Sequence, residues 1–135
     1  MSQHHELAVH VAVVGVVDDD PAVRNSLKFS LEIEGFLVRT YADAKALLNE
    51  GELSRFNCLV VDQNMPGTSG LELVAELRRR QILVPVVLIT SHPPKVLVAR
   101  AGEAGVPIVE KPLLGNALLE KIREATCANG LPMAS

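Results

Sequence analysis

Apolar residues occur along the chain in five short runs, separated by segments in which apolar positions recur with a helical period. The runs cover residues 10–17, 36–41, 57–61, 84–90 and 107–110. Four of them are rich in β-branched residues, and the first, third and fourth are nearly continuous. Continuous apolar runs are typical of strands covered on both faces. The pattern therefore predicts five strands of a parallel sheet between layers of helix.

Each interval between the predicted strands carries signals for a helix. A carboxylate or hydroxyl before an apolar stripe is a good N-cap, because its oxygen accepts free backbone N–H groups of the first turn. Asp20 before Pro21, Asp43, and Ser69 with Glu72 are such signals, and the last pair predicts a capping box. The three helices expected from these signals lie within residues 21–35, 43–48 and 69–80. A fourth is expected to begin after Pro93-Pro94 and to end by Gly105, and the spacing of Leu118, Ile122 and Ala125 predicts a fifth at about residues 114–127.

Alternation of strand and helix over about 115 residues predicts an α/β fold with an open, doubly wound five-stranded parallel sheet. Right-handed crossovers then place helices on both faces of the sheet. No internal repeat or linker interrupts the pattern. We expect one domain at residues 10–127, a flexible N-terminal leader at residues 1–9, and a C-terminal tail at residues 128–135.

Composition excludes several classes of protein. The 135 residues are 48% apolar, and 16 acidic against 13 basic residues leave a formal net charge of -3, which argues against binding nucleic acid. No apolar run reaches the length of a membrane span, and residues 1–6 lack the Lys or Arg of a secretory signal. Cys58 and Cys127 have no metal-ligand spacing, and Cys58 is expected to be a small buried residue. A cytoplasmic location follows.

Polar residues stand where four of the predicted strands end. Asp18 and Asp19 follow the first strand, Asp62 the third, Thr90 ends the fourth and Lys111 follows the fifth. Ligands of open α/β sheets bind at this edge. Clustered carboxylates repel unless a cation or proton joins them, and oxygen ligands without His or Cys suit Mg²⁺. A hydroxyl and an ammonium group would bind a phosphoryl group beside that ion.

Four motifs in this order resemble those of a response-regulator receiver domain of the CheY-like superfamily. They are Val-Val-Asp-Asp-Asp-Pro at 16–21, Val-Val-Asp-Gln-Asn-Met-Pro-Gly at 60–67, Leu-Ile-Thr-Ser at 88–91 and Glu-Lys-Pro at 110–112. The resemblance covers roughly residues 10–125. It implies a (βα)5 flavodoxin-like fold with strand order 2-1-3-4-5, and a receiver that stands alone or was excised from a longer regulator.

The resemblance implies a role for each strand-end residue. Asp62 matches the phosphoacceptor, a carboxylate that attacks a phosphohistidine and becomes an aspartyl phosphate. Asp19 directly, Asp18 through water and the backbone carbonyl of Asn64 would hold Mg²⁺ together with Asp62. Lys111 would pair with the phosphoryl oxygens, and Thr90 would donate a hydrogen bond to them. Transfer of a phosphoryl group needs mainly such positioning and neutralisation of charge.

The resemblance also implies partners. A sensor histidine kinase or histidine phosphotransfer protein would supply the phosphoryl group, and the side of the first helix that carries Arg24 and Lys28 is the expected docking face. An unknown downstream protein would read the conformational change. A homodimer through the fourth helix and fifth strand is a further expectation. The chain would catalyse only its own phosphorylation and dephosphorylation, and would not otherwise be an enzyme.

Two positions depart from the family pattern or add to it. Ile108 stands three residues before Lys111, where receivers often carry Tyr or Phe, and an aliphatic residue cannot move a ring between exposed and buried positions. His92 lies two residues past Thr90, at a position that in the family tunes how fast water reaches the aspartyl phosphate, so the resemblance implies that His92 modulates the lifetime of that phosphate here. His4, His5 and His10 receive no role.

Two alternatives to a phosphorylated receiver follow from the residues. The first is a receiver-like interaction module that is never phosphorylated, and the Ile108 departure keeps this alternative open. The second is a phosphatase of the haloacid-dehalogenase type, which also uses an aspartate nucleophile at a strand end. That family places its nucleophile after the first strand with an Asp two residues later, whereas here the strand is the third and the residue is Asn64.

Overall fold

The predicted strands pair into one parallel sheet in the computed structural model, which describes residues 11–128. The strands are β1 Val13–Val17, β2 Leu37–Tyr41, β3 Cys58–Asp62, β4 Val86–Thr90 and β5 Ile108–Glu110. Their order across the sheet is β2-β1-β3-β4-β5, which confirms the order that the resemblance implied. The predicted leader, His10 and residues 129–135 of the predicted tail lie outside the described residues.

Four α-helices connect the strands and a fifth follows β5, and none of these helices of residues 11–128 is long and apolar enough to span a membrane. They are α1 Pro21–Ile33, α2 Ala44–Leu48, α3 Gly70–Arg79, α4 Lys95–Glu103 and α5 Ala117–Ala128. The predicted start of α5 at residue 114 is wrong. The N–H of Leu114 donates to the carbonyl of Pro112 (2.9 Å), and Gly115 has a left-handed φ of 69°, so a turn precedes the helix. A short 3-10 helix at Leu53–Arg55 was not predicted.

The predicted helix caps are present in the structure. Asp20 accepts the N–H of Ala22 (2.9 Å) at the start of α1, and Asp43 accepts the N–H of Ala46 (2.8 Å) at the start of α2. Ser69 and Glu72 form both hydrogen bonds of the predicted capping box of α3. Each cap satisfies N–H groups that a helix cannot pair internally. These local signals therefore set where the helices begin.

The sheet separates two apolar layers. One layer packs α2, α3 and α4 against the sheet, and the other packs α1 and α5 against the opposite face. Every residue of β3 and β4 is buried, as expected for central strands covered on both sides. Asp62 and Thr90 are the last residues of these two strands, so the fold buries a carboxylate and a hydroxyl at the edge of its core.

Strand register brings the predicted site residues to one edge. Val17 of β1 pairs with Val61 of β3, and Asp62 pairs with Ile89 of β4. Because all five strands are parallel, their carboxyl ends lie along the same side of the sheet. The residues at or after those ends, which come from four separate segments, therefore converge there.

Gly70 allows α3 to begin directly against the end of β3. A Cβ atom at this position would lie 2.8 Å from the carbonyl oxygen of Asp62 and 3.0 Å from the Cα of Gln63. Both atoms belong to the backbone, which cannot move aside as the end of a side chain can. The N–H of Gly70 also donates to the carbonyl of Gln63 (3.1 Å), which holds the two segments together.

We expect Gly70→Ala to lower the free energy of unfolding by about 1–3 kcal/mol, the usual cost of forcing an added methyl group into a close-packed site. Gly102→Ala in α4 is the matched control, because a Cβ there meets nothing within 4 Å. Alanine at an open helical position stabilises by about 0.5–1 kcal/mol relative to glycine. Urea unfolding of both variants tests this difference in sign. Equal effects of the two substitutions would contradict the close approach at Gly70.

Candidate functional site at the carboxyl edge of the sheet

Two buried carboxylates share one ammonium group at this edge. Lys111 Nζ lies 3.3 Å from Asp18 Oδ2 and 3.4 Å from Asp62 Oδ1. Asp18 is fully buried and Asp62 is 3% exposed, whereas the Lys111 side chain is partly open to solvent. The structure therefore brings together three of the residues that the strand-end pattern predicted, from β1, β3 and β5.

Asp18 is held in place by the loop that follows it and by α1. Its Oδ1 accepts the N–H of Asp20 (2.9 Å), and its backbone carbonyl accepts a hydrogen bond from Arg24 Nη1 (2.7 Å). The carboxylate of Asp20 is occupied as the cap of α1. Asp19 is exposed between them. The three consecutive aspartates thus have different surroundings, and Asp20 forms the helix cap expected of it.

Burial raises the pKa of Asp62, and the nearby charge of Asp18 raises it further. The N–H of Asn64 (3.2 Å from Asp62 Oδ1) and the ammonium group of Lys111 act in the opposite direction. For Lys111, burial lowers the pKa, but the charges of Asp62 and Asp18 outweigh it and the pKa is raised. Lys111 is therefore a stable cation beside two carboxylates, and its single positive charge cannot neutralise both of them.

Asp18, Asp19 and Asp62 form a group that is able to hold a metal ion. One carboxylate oxygen from each lies within 4.8 Å of the others. The donors are all oxygen atoms, which is the ligand type of hard cations such as Mg²⁺ and Ca²⁺. A divalent cation would also offset the negative charge that Lys111 leaves uncompensated. The residues present fit a hard divalent cation.

Thr90 and Asn64 form a second polar contact in the site. Thr90 is 2% exposed, and its Oγ1 accepts a hydrogen bond from Asn64 Nδ2 (3.2 Å). Its backbone carbonyl accepts the N–H of Lys111 (2.8 Å). The predicted metal ligand at residue 64 was its carbonyl alone. The bond from its side chain was missed, because an amide after the end of a strand does not specify which neighbouring side chain it contacts.

Gln63 is a structural residue of the site that sequence reasoning passed over. Its Oε1 accepts the N–H of Leu71 (2.9 Å), which is one of the unpaired donors in the first turn of α3. Since Gln63 directly follows Asp62, this bond ties α3 to the end of β3. The polar side chain immediately after a buried strand was the available signal.

Other predicted residues lie around this centre. His92 is exposed and has a left-handed φ of 45°, and its proposed role in hydrolysis stays a prediction. Ile108 is half-buried against the apolar layer of α2, α3 and α4. Lys28 forms an ion pair with Glu32, so the expected docking face on α1 carries a cation that is already paired. Cys58 is buried as predicted, and burial raises the pKa of its thiol to about 12.

Comparison with known sequences gives one family across most of the chain. Residues 14–123 match the model of the response regulator receiver domain. The transcriptional regulatory protein FixJ of Azorhizobium caulinodans is 40% identical over 111 residues, which are 82% of this chain and 53% of that protein. The C4-dicarboxylate transport transcriptional regulatory protein DctD of Pseudomonas aeruginosa is 35% identical over 82% of this chain and 24% of its own length. The chain thus spans about half, or less, of these relatives.

Solved structures give the same result at the level of the fold. The crystal structure of FixJ-N superposes with a TM-score of 0.79 at 32% identity and covers 93% of this chain and 100% of that one. The chemotaxis protein CheY4 of Vibrio cholerae superposes with a TM-score of 0.78 at 25% identity, over 86% of this chain and 99% of that one. The chain belongs to the response regulator receiver domain family, and it is a receiver of two-component signal transduction.

Proposed function

We propose that Asp62 accepts a phosphoryl group from a histidine of a partner protein, and that the resulting change at the carboxyl edge of the sheet controls a downstream protein. The observation that supports this most directly is the convergence of Asp18, Asp62 and Lys111, in which two buried carboxylates share one ammonium group. An arrangement that costs stability and lies at the ligand-binding edge of an α/β sheet favours a functional role.

The reaction balances without a redox step. An oxygen of Asp62 forms a bond to phosphorus as the phosphorus–nitrogen bond of the phosphohistidine breaks, and the departing imidazole keeps the electron pair of that bond. Lys111 is placed to pair with the phosphoryl oxygens, and Thr90 to donate its hydroxyl hydrogen to one of them. Later attack by water restores the carboxylate and releases inorganic phosphate.

Asp18, Asp19 and Asp62, together with the backbone carbonyl of Asn64, would hold Mg²⁺ in this site. When bound, the ion supplies positive charge that offsets both the carboxylates and the incoming phosphoryl oxygens. The chain's own residues orient that centre. The N–H of Asp20 and the ammonium group of Lys111 bind one oxygen each of Asp18, and the N–H of Asn64 binds Asp62.

The proposed phosphoryl donor is a sensor histidine kinase or a histidine phosphotransfer protein. A cleft beside the site supports its approach, since α1 contributes Ser26 and Leu27 to it and the segment after β5 contributes Lys111 and Leu113. The exposed Val96 and Val98 of α4 support a homodimer through α4 and β5. We place the protein in the cytoplasm, and its catalysis is confined to its own phosphorylation and dephosphorylation.

Incubation with Mg²⁺ and a small acyl phosphate is expected to add about 80 Da, one phosphoryl group, to the intact mass. Asp62→Asn should abolish this adduct, because the nucleophilic oxygen is lost. Asp43→Asn is the matched control. It makes the same chemical change at an exposed helix cap, where Asn also caps well, and it should label like the parent.

The alternatives give different results in the same experiment. An unlabelled parent protein would favour an interaction module that is not phosphorylated. Steady turnover of a phosphate ester would favour the phosphatase. Labelling that persists in Asp62→Asn would show that another residue is the acceptor.

Asp19→Asn is expected to weaken Mg²⁺ binding by about tenfold or more, because a carboxylate ligand of a hard cation becomes a neutral amide. Asp20→Asn removes one negative charge from the same segment, but at a carboxylate engaged with α1. We expect it to change the affinity by less than about threefold, through long-range charge alone. Calorimetric titration with Mg²⁺ measures both values. Equal losses in the two variants would argue that overall charge, and not a ligand at residue 19, binds the ion.

The raised pKa of Asp62 predicts a pH-dependent stability in the absence of metal. The folded state favours the protonated form of Asp62. Protonation therefore adds to the free energy of unfolding in full below the ordinary pKa of 3.8, and this addition is lost as the pH rises through the higher pKa of the folded state. The side chain of Asp62→Asn is always neutral. The free energy of unfolding of this variant at pH 7 should therefore be higher than that of the parent by about 1–3 kcal/mol, a usual cost of an imperfectly compensated buried polar group. The difference should narrow towards pH 3.

Chemical unfolding of both proteins across this pH range, in a chelator, measures the effect. Saturating Mg²⁺ should reduce or reverse the difference at pH 7, because the ion stabilises the folded parent by mass action. The control Asp43→Asn should have no higher free energy of unfolding than the parent at pH 7 in chelator. A parent protein more stable than Asp62→Asn at pH 7 in chelator would contradict the charge imbalance described above.

A further inference from the structure

Asn64 joins the proposed acceptor to the hydroxyl group of Thr90. Its backbone N–H donates to Asp62 Oδ1 (3.2 Å), and its side-chain Nδ2 donates to Thr90 Oγ1 (3.2 Å). Because Asp62 ends β3 and Thr90 ends β4, one residue bridges two neighbouring strand ends. The metal role proposed for Asn64 uses only its backbone carbonyl and leaves the side chain unexplained.

Thr90 has little freedom except at its own side chain. Its carbonyl accepts the N–H of Lys111 (2.8 Å), and the residue pairs with Glu110 of β5, so its backbone is part of the sheet. The hydroxyl group can therefore move mainly by rotation about χ1, which has only three staggered positions and is further restricted in a β-branched residue. A hydrogen bond to Asn64 selects one of these positions.

The hydrogen bond between Asn64 and the Thr90 hydroxyl can be broken at a low cost in free energy. Asn64 is exposed, so its amide can bond to water once it releases Thr90. A hydroxyl group both donates and accepts, so the contact is preserved whichever way the amide is turned. The buried hydroxyl, in contrast, needs a partner within the protein or on a bound group.

We propose that the side chain of Asn64 is a positioning residue that holds the Thr90 hydroxyl in the arrangement of the unphosphorylated protein and releases it when Asp62 carries a phosphoryl group. The inference rests on the proposed function, in which Thr90 donates to a phosphoryl oxygen. Loss of the Asn64 amide removes a bond made only in the unphosphorylated arrangement. The population then shifts towards the arrangement that binds the phosphoryl group.

Asn64→Ala keeps the backbone N–H and carbonyl and removes only the amide. With Mg²⁺ present, we expect this variant to bind beryllofluoride, a stable analogue of a phosphoryl group, about two- to tenfold more tightly than the parent, which is the range for one hydrogen bond. Thr90→Ser retains the hydroxyl. Adding Asn64→Ala to Thr90→Ser should therefore tighten beryllofluoride binding by the same factor as adding it to the parent. Asn25→Ala, the same change at an exposed position of α1, should leave the affinity unchanged.

A double-mutant cycle separates this role from a general structural effect. In a Thr90→Ala background, Asn64→Ala should no longer change the affinity for beryllofluoride, because the bond it breaks is already absent. An equal gain with and without the Thr90 hydroxyl would overturn the inference. Weaker or unchanged binding in Asn64→Ala alone would also overturn it.

A second measurement needs neither metal nor phosphoryl analogue. Three-bond NMR couplings of Thr90 in the metal-free parent should show one χ1 rotamer, and those of Asn64→Ala should show averaging between rotamers. Averaging in the parent, or one unchanged rotamer in the variant, would overturn the inference even if Asp62 is phosphorylated normally. If beryllofluoride does not bind the parent but the rotamer result holds, the proposed function fails while the positioning of Thr90 by Asn64 stands.

Discussion

The sharing of one ammonium group by two buried carboxylates is the constraint on which the site depends. Lys111 reaches both Asp18 and Asp62, so the charges at the ends of β1 and β3 are only partly neutralised by protein groups. Burial of like charges costs stability, and it is tolerated here because the sheet and its crossovers fix the ends of β1, β3 and β5 along one edge, with β4 between the last two. The same imbalance makes the site attractive to a divalent cation.

The fold could be predicted where the signals are local. Apolar runs of four to eight residues identified the strands, and the caps of Asp20, Asp43 and Ser69 identified where three helices begin. The start of α5 could not be predicted in the same way. It depends on a turn at Leu114 and Gly115, and the apolar spacing of the helix continues through that turn without a break. Periodicity therefore extended the helix by three residues.

The site could be predicted as a set of residues but not as a network. Four motifs at the strand ends identified which residue types converge, and parallel topology brought them together. The bonds between them depend on side-chain rotamers and on contacts distant in sequence. Asn64 and Thr90 are 26 positions apart, and the bond from Arg24 fixes a carbonyl rather than a charge. No pattern of residue types specifies such contacts.

The aliphatic residue at position 108 limits the contacts through which a change in the position of the Thr90 hydroxyl can affect the surface of the protein. Ile108 is half-buried, has no polar atom in its side chain, and packs against the layer of α2, α3 and α4. It therefore cannot exchange a hydrogen bond with the Thr90 hydroxyl, and its branched side chain has few rotamers. The polar contact of that hydroxyl runs instead to Asn64, beside Gln63, whose side chain accepts a bond from the first turn of α3. The loop after β3 is thus the segment that contacts both Asp62 and the Thr90 hydroxyl, through Asn64.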